Sequence, residues 1–154
     1  MLAFVQAPTD VEVCLKIPTG FHVENAEGDD TSEDYCLLLQ NNCYGSRDAA
    51  ANWFAVLTNG LEERSFSQIP IDPCLFARQH CFIITHVDDC LMFYKKKEVL
   101  IELINSLENE FKLTDEGDLA SFLGVQFKRV NNNTLELSQP HLMQRIIEAL
   151  GLNE

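Results

Sequence analysis

A chain of 154 residues with 46% hydrophobic content has the length and apolar share for one globular domain with a sizeable core. Its formal net charge of −13 at pH 7 argues against a free-standing nucleic-acid binder, because phosphate contacts need Lys and Arg. No apolar run approaches the roughly 20 residues that cross a bilayer, so no membrane association is expected. The opening M-L-A-F-V-Q-A-P-T-D lacks the basic start and long apolar stretch of a secretory signal and reads as a start in the middle of a domain.

Six cysteines (Cys14, Cys36, Cys43, Cys74, Cys81, Cys90) form no C-x-x-C pair, and four lie in apolar runs. They read as free thiols in a reducing compartment, which implies an intracellular, cytoplasmic or nuclear location. A zinc site from His80, Cys81, His86 and Cys90 matches no common finger spacing, and strand alternation would scatter the four over both faces. The bases are unevenly placed. Before Arg78 there are only Lys16, Arg47 and Arg64, whereas the later half holds Lys95-Lys96-Lys97, Lys112, Lys128-Arg129 and Arg145. Any contact with a polyanion is expected there, against a repulsive overall field.

In chain order, residues 2–6 and 11–17 predict short strands about the Pro8-Thr9-Asp10 turn. The acidic stretch Glu24 to Asp34 predicts a loop, and Leu37 to Leu39 is a short apolar segment leading to Tyr44-Gly45. Ser46 is a candidate N-cap with Asp48 in the first turn. Trp53, Leu57 and Leu61, with Ala50 before them, form one buried stripe of a helix ending near Arg64. Phe82–Val87 and Cys90–Tyr94 predict two strands with Asp88-Asp89 at their junction. Leu100, Leu103, Ile104, Leu107 and Phe111 line one face of the next helix. Phe122–Val130, an N-N-N-T turn and Leu135–Ser138 predict a further hairpin. Pro140 opens a terminal helix with Met143, Ile146, Ile147 and Leu150 on one stripe and Gly151 beyond them. Hairpin and helix alternate three times, which gives an α+β fold: an antiparallel sheet with helices on one face.

The stretch F-I-I-T-H-V-D-D-C-L-M-F, residues 82–93, sets two adjacent carboxylates between apolar strands. Asp88 and Asp89 repel each other, and partial burial raises that cost. A solvated polar turn relieves it. So does Mg²⁺, a hard cation that takes carboxylate oxygens and keeps waters or substrate phosphates as its other ligands. A strand-turn-strand can present such carboxylates, and two metal ions, to a transferring phosphate.

The sequence around the hairpin decides between these readings. His86-Val87-Asp88-Asp89 resembles the aromatic-Val-Asp-Asp hairpin of reverse transcriptases. Residues 39–54, Leu39 through Tyr44-Gly45 to Trp53-Phe54, resemble the copia-type segment KLNKALYGLKQAPRxWF. Asp72-Pro73-Cys74-Leu75-Phe76 matches that family's DPCLF, Phe122-Leu123-Gly124-Val125 its FLGI, and Leu137-Ser138-Gln139-Pro140 its ISQ segment. Ala3-Phe4, Gln6-Ala7-Pro8 and Val13 to Phe21 resemble its AFxQAP and VYMKxPxGF opening. The matches run in order over nearly the whole chain, which is identified as a member of the copia-type retrotransposon reverse transcriptases.

The resemblance implies a polymerase palm with part of the fingers across residues 1–154, and the start of a thumb from about residue 140. It implies RNA-directed DNA synthesis by two-metal nucleotidyl transfer with Mg²⁺, or Mn²⁺ in its place. The partners would be an RNA or DNA primer–template and a deoxynucleoside triphosphate, with further polyprotein segments. Asp88 and Asp89 would be two of three catalytic, metal-binding carboxylates. Phe4 would lie under the nucleotide sugar and exclude a 2′-hydroxyl. Gly45 would let backbone approach the template–nucleotide region closely, and Arg47 would stand near phosphates. His86, Leu123 and Gly124 would contact the primer end.

Departures accompany the match. The family's first catalytic Asp stands four residues before the Ala of its AF motif, which falls two residues before Met1. His86 replaces an aromatic residue, and Leu38 and Asn41 replace two Lys. These losses lead to the expectation that the chain is inactive in isolation. The alternative is a non-catalytic retrotransposon remnant that acts as an interaction module or is not expressed.

Overall fold

The computed structural model describes residues 3–25, 27–28 and 30–152. In the order of the chain, β1 (Cys14–Lys16) and β2 (Cys36–Leu38) precede helix α1 (Ala49–Glu63). Next come β3 (Ser67–Ile69), β4 (Asp72–Arg78), β5 (Cys81–His86), β6 (Asp89–Tyr94) and α2 (Lys97–Glu108). The chain continues with β7 (Ser121–Phe122), β8 (Val125–Asn131), β9 (Thr134–Ser138) and α3 (Pro140–Ala149). The strands form three antiparallel sheets: β1-β2, β3-β4-β5-β6 and β7-β8-β9. The fold is α+β.

The core follows from two periodicities. Strand β5 buries Cys81, Ile83 and Thr85 and turns Phe82 and His86 outward, the period-2 pattern of a sheet with one covered face. Phe76 of β4 stands opposite Ile83 and is fully buried. Helix α1 buries Ala49, Trp53, Leu57 and Leu61 at four-residue spacing, and α2 buries Leu103 and Leu107. All but Ala49 join Phe76, Cys81 and Ile83 in one cluster, so both helices cover the same face of the four-stranded sheet. Phe111 enters that cluster just past the end of α2, where its backbone N–H donates to the Leu107 carbonyl at 2.8 Å.

Several expectations need correction. Residues 3–6 are not a strand: Phe4–Gln6 is a 3-10 turn, and Leu2 lies outside the described residues. Ala3 and Ala7, four apart, are both fully buried, so the apolar run has a helical rather than an alternating spacing. The partner of β1 is therefore β2, with Leu15 opposite Leu37. The N-cap of α1 is Asp48, not Ser46, whose hydroxyl lies 3.1 Å from Cys43 Sγ. The buried alanine of the α1 stripe is Ala49, while Ala50 is exposed.

Strands β3 and β4 were not expected. Pro73 sits where the β3–β4 register shifts, the kind of position at which a sheet tolerates proline. Residues 122–130 are not one strand either. The chain turns tightly at Leu123-Gly124, with φ +50 and +79, the twin positive values that match a hairpin to the twist of its strands. Helix α3 starts at Pro140 as expected, yet its Met143, Ile146 and Leu150 are exposed.

Candidate functional site

The carboxylate hairpin is built one residue earlier than the sequence suggests. His86 pairs with Asp89, so the two-residue loop is Val87-Asp88 and Asp89 opens β6. Asp88 is half-buried and Asp89 exposed. Val87 takes φ +52, a left-handed conformation that a β-branched residue rarely adopts. Its carbonyl accepts a hydrogen bond from Trp53 Nε1 at 2.8 Å, which ties the tip of the hairpin to the buried stripe of α1.

A second tie comes from a distant part of the chain. The Tyr44 hydroxyl donates to the Asp88 carboxylate, 2.7 Å from Oδ2 and 2.9 Å from Oδ1. The Tyr44 ring in turn packs on the half-buried Phe4 ring, with centroids 4.6 Å apart. Asn42 brings these segments together: its Nδ2 donates to the carbonyls of Ala7 at 3.2 Å and Pro8 at 2.7 Å. The neighbouring Asn41 Nδ2 donates to the Val5 carbonyl at 2.9 Å. The hydrogen bond to Asp88, then burial, push the Tyr44 phenol above its usual pKa, and the backbone amides of Ala3 and Phe4 oppose that shift.

Behind the turn lies a mainly apolar cavity of about 200 Å³. Phe4, Trp53, Phe54, Cys74, His86 and Val87 are among the residues that line it. Phe4, His86, Asp88 and Asp89 are thus brought together. Of the other expected site residues, Gly45 follows Tyr44 directly, whereas Arg47, Leu123 and Gly124 form no hydrogen bond or ion pair with the turn among the described residues. Arg47 is exposed, and its nearest carboxylate is the adjacent Asp48, 3.9 Å away. Gly45 has φ +95 and nothing within 4 Å of a notional Cβ. A left-handed backbone therefore accounts for this glycine, rather than any close approach within this chain. Leu123 and Gly124 form the β7–β8 turn of a different sheet.

Two carboxylates on one turn offer hard oxygen donors of the kind Mg²⁺ and Mn²⁺ take, and such ions commonly use one or two carboxylates with waters and phosphates. The donor chemistry fits a divalent cation. Among the described residues no three His, Cys, Asp or Glu side chains converge, which leaves out both a third carboxylate and a zinc cluster at His80, Cys81, His86 and Cys90.

Tyr44 and Trp53, which tie the Val87-Asp88 turn to the rest of the chain, were not among the expected site residues. Trp53 was legible only as core, from its place on the stripe. Tyr44 stood inside a recognised segment, but its contact with Asp88 spans 44 positions and has no local signature.

Comparison with known proteins agrees with the motifs. The family described as reverse transcriptase (RNA-dependent DNA polymerase) matches residues 1–154. The chain is 24% identical over 156 residues to the retrovirus-related Pol polyprotein from transposon TNT 1-94 of Nicotiana tabacum, covering 97% of this chain and 11% of that protein. It is 30% identical over 141 residues to the Pol polyprotein from transposon RE2 of Arabidopsis thaliana, and 29% to that from transposon RE1. Each of those alignments covers 89% of this chain and 9% of the relative. The chain therefore spans about a tenth of the length of these relatives. No solved structure matches it. With the family match over residues 1–154 and motifs and relatives in agreement over most of that length, the chain belongs to the reverse transcriptase family, in its copia-type retrotransposon branch.

Proposed function

We propose that this chain is the part of a copia-type polymerase that carries the carboxylate hairpin, and that its ancestral reaction is RNA-directed DNA synthesis. The observation that carries the reading is the Val87-Asp88 turn, held to Tyr44, whose ring packs on Phe4, beside an apolar cavity. Sheet β3–β6 with α1 and α2 is the palm. The segments before α1 belong to the fingers, and α3, from Pro140, begins the thumb. Asp88 and Asp89 are the residues that would hold divalent cations. Bound there, the ions would neutralise charge on the attacking and leaving oxygens of a nucleotidyl transfer.

The chain's own groups define the rest. The Phe4 ring offers a flat apolar face to a nucleotide sugar and leaves no polar partner for a 2′-hydroxyl. His86, at the rim of the cavity, takes the primer side of the turn, with Leu123 and Gly124 further along the primer end. Arg47, on an exposed loop, and the left-handed Gly45 border the incoming nucleotide. A primer–template, a deoxynucleoside triphosphate and the remaining polyprotein segments are the partners.

The 154-residue chain by itself is inactive on this reading, because among the described residues no third His, Cys, Asp or Glu joins Asp88 and Asp89 to complete the cation set. Loss of one such ligand removes several kcal/mol of transition-state stabilisation, and each 1.4 kcal/mol or so is tenfold in rate. Primer extension tests it. The chain alone gives no product with Mg²⁺ or Mn²⁺. A chain lengthened upstream to carry an Asp four residues before Ala3, with a fingers segment, gives product that Asp88→Asn abolishes. Extension by the 154-residue chain alone, abolished by Asp88→Asn, would overturn the reading and show that another carboxylate completes the set.

A further inference from the structure

The Tyr44 phenol oxygen lies 2.7 and 2.9 Å from the two oxygens of Asp88, close to the bisector of the carboxylate. A cation chelated by that carboxylate would lie on the same line, about 2.0–2.6 Å from both oxygens. The phenol is held on two sides. Its ring packs against Phe4 at a tilt of 38°, and Asn42, two residues before it, anchors its segment to the Ala7 and Pro8 carbonyls. The turn is fixed from the other side as well, by the Trp53 hydrogen bond to the Val87 carbonyl.

We infer that Tyr44 is the positioning residue of Asp88, and that its phenol holds the place of a chelated cation, so that ion and phenol compete for one carboxylate. The inference rests on the reading of Asp88 as a metal ligand and adds a residue that the reading lacks. It also links two ends of the site. The ring that would lie under the nucleotide sugar packs on the ring whose hydroxyl holds the carboxylate, so a shift of Phe4 is felt at Asp88.

The test uses the 154-residue chain, with Mn²⁺ alone as the probe and its free-ion electron paramagnetic resonance signal as the readout. Tyr44→Phe keeps the ring on Phe4 and removes only the hydroxyl. It should tighten Mn²⁺ binding about tenfold, the low end for a hydrogen bond to a charged group because Tyr44 is half exposed. Asp88→Asn in the Tyr44→Phe background should abolish that gain. A second measurement reads the contact without any metal: with 13Cζ-labelled tyrosine, the Tyr44 resonance should shift in Asp88→Asn. Unchanged or weaker Mn²⁺ binding by Tyr44→Phe overturns the competition, and an unmoved Tyr44 resonance overturns the contact. In either case the functional reading survives if Asp88→Asn still weakens Mn²⁺ binding by the parent chain. If no variant binds Mn²⁺ through Asp88 or Asp89, the metal-ligand reading falls and takes the inference with it.

Discussion

Val87 is held where its side chain is least welcome. A β-branched residue at φ +52 stores about 1–3 kcal/mol of backbone strain. The strain is balanced by contacts that fix the turn from both sides, Trp53 on its carbonyl and Tyr44 on Asp88. Val87→Gly relieves the strain and keeps the carbonyl acceptor, at a cost of about 0.4–1 kcal/mol through the greater freedom of the unfolded chain. The net expectation is a gain of about 1 kcal/mol, read as a higher urea midpoint with unchanged slope. A lower midpoint would show that the left-handed turn is not strained. Asp30 offers a second test at this scale. The Ser32 hydroxyl, then His22 and the Ser32 amide, hold its carboxyl down at about 2, below the usual 3.8. A folded-state pKa below the unfolded one means that the contribution to stability is complete above pH 4 and is lost as pH falls toward 2. A 13C titration of the Asp30 carboxyl should therefore show a midpoint near 2. A midpoint near 4 would mean that the Asp30 contacts with His22 and Ser32 are not kept in solution.

Helices α1 and α2 meet at a point where there is no room for a methyl group. A Cβ on Gly60 would lie 2.7 Å from the Phe111 ring, and the Arg64 guanidinium locks the same junction. Arg64 donates to the Gly60 carbonyl at 2.6 Å, to Ser106 Oγ and its carbonyl at 2.9 and 2.7 Å, and to Glu110 at 2.9 Å. Gly60→Ala sets two effects against each other. Alanine favours the helix by about 1 kcal/mol, whereas overpacking against a buried ring costs about 1–3 kcal/mol. Phe111 is packed edge-on against Trp53 and is itself in the core, so the clash should win. The difference leaves Gly60→Ala less stable by about 1 kcal/mol, and Gly60→Ala with Phe111→Leu should recover part of it. Stabilisation by the single change would show that the two helices part easily. At this scale the sequence was most readable where burial repeats. The stripes of α1 and α2 and the alternation of β5 follow from spacing alone. Strands β3 and β4 did not, because Pro70 and Pro73 mask a pairing that tolerates one proline at a register shift. The turn at Val87-Asp88 was read one residue late, since two adjacent Asp look more turn-like than a Val in a left-handed conformation. The Tyr44 contact with Asp88 depends on Asn42 anchoring a distant segment, which no local pattern encodes.

Charge and surface divide the molecule unevenly. The net charge of −13 opposes any polyanion, while Lys95–Lys97, Lys128, Arg129 and Arg145 cluster in the later half of the sequence. That half also carries β8, β9 and α3, where Leu137, Met143 and Leu150 are exposed and no residue is buried. Part of the basic charge is compensated locally, since Lys128 Nζ lies 3.9 Å from Glu136. A primer–template would therefore meet few uncompensated cations and a repulsive field beyond them. If about three phosphates are neutralised, the counterion slope predicts about 20-fold weaker binding at 150 mM than at 50 mM salt. Affinity near 150 mM should lie in the non-specific range, weaker than about 10⁻⁵ M. Charge reversal at Lys96 and Arg129 should flatten the slope, whereas Asp88→Asn should not steepen it by more than about one phosphate. Fluorescence anisotropy of a labelled primer–template, titrated at several salt concentrations, measures all of these. Tight binding that is indifferent to salt would contradict the electrostatic account. It would instead place the affinity in base stacking on the exposed aromatic side chains, which is sequence-tolerant and worth about 1–3 kcal/mol per base.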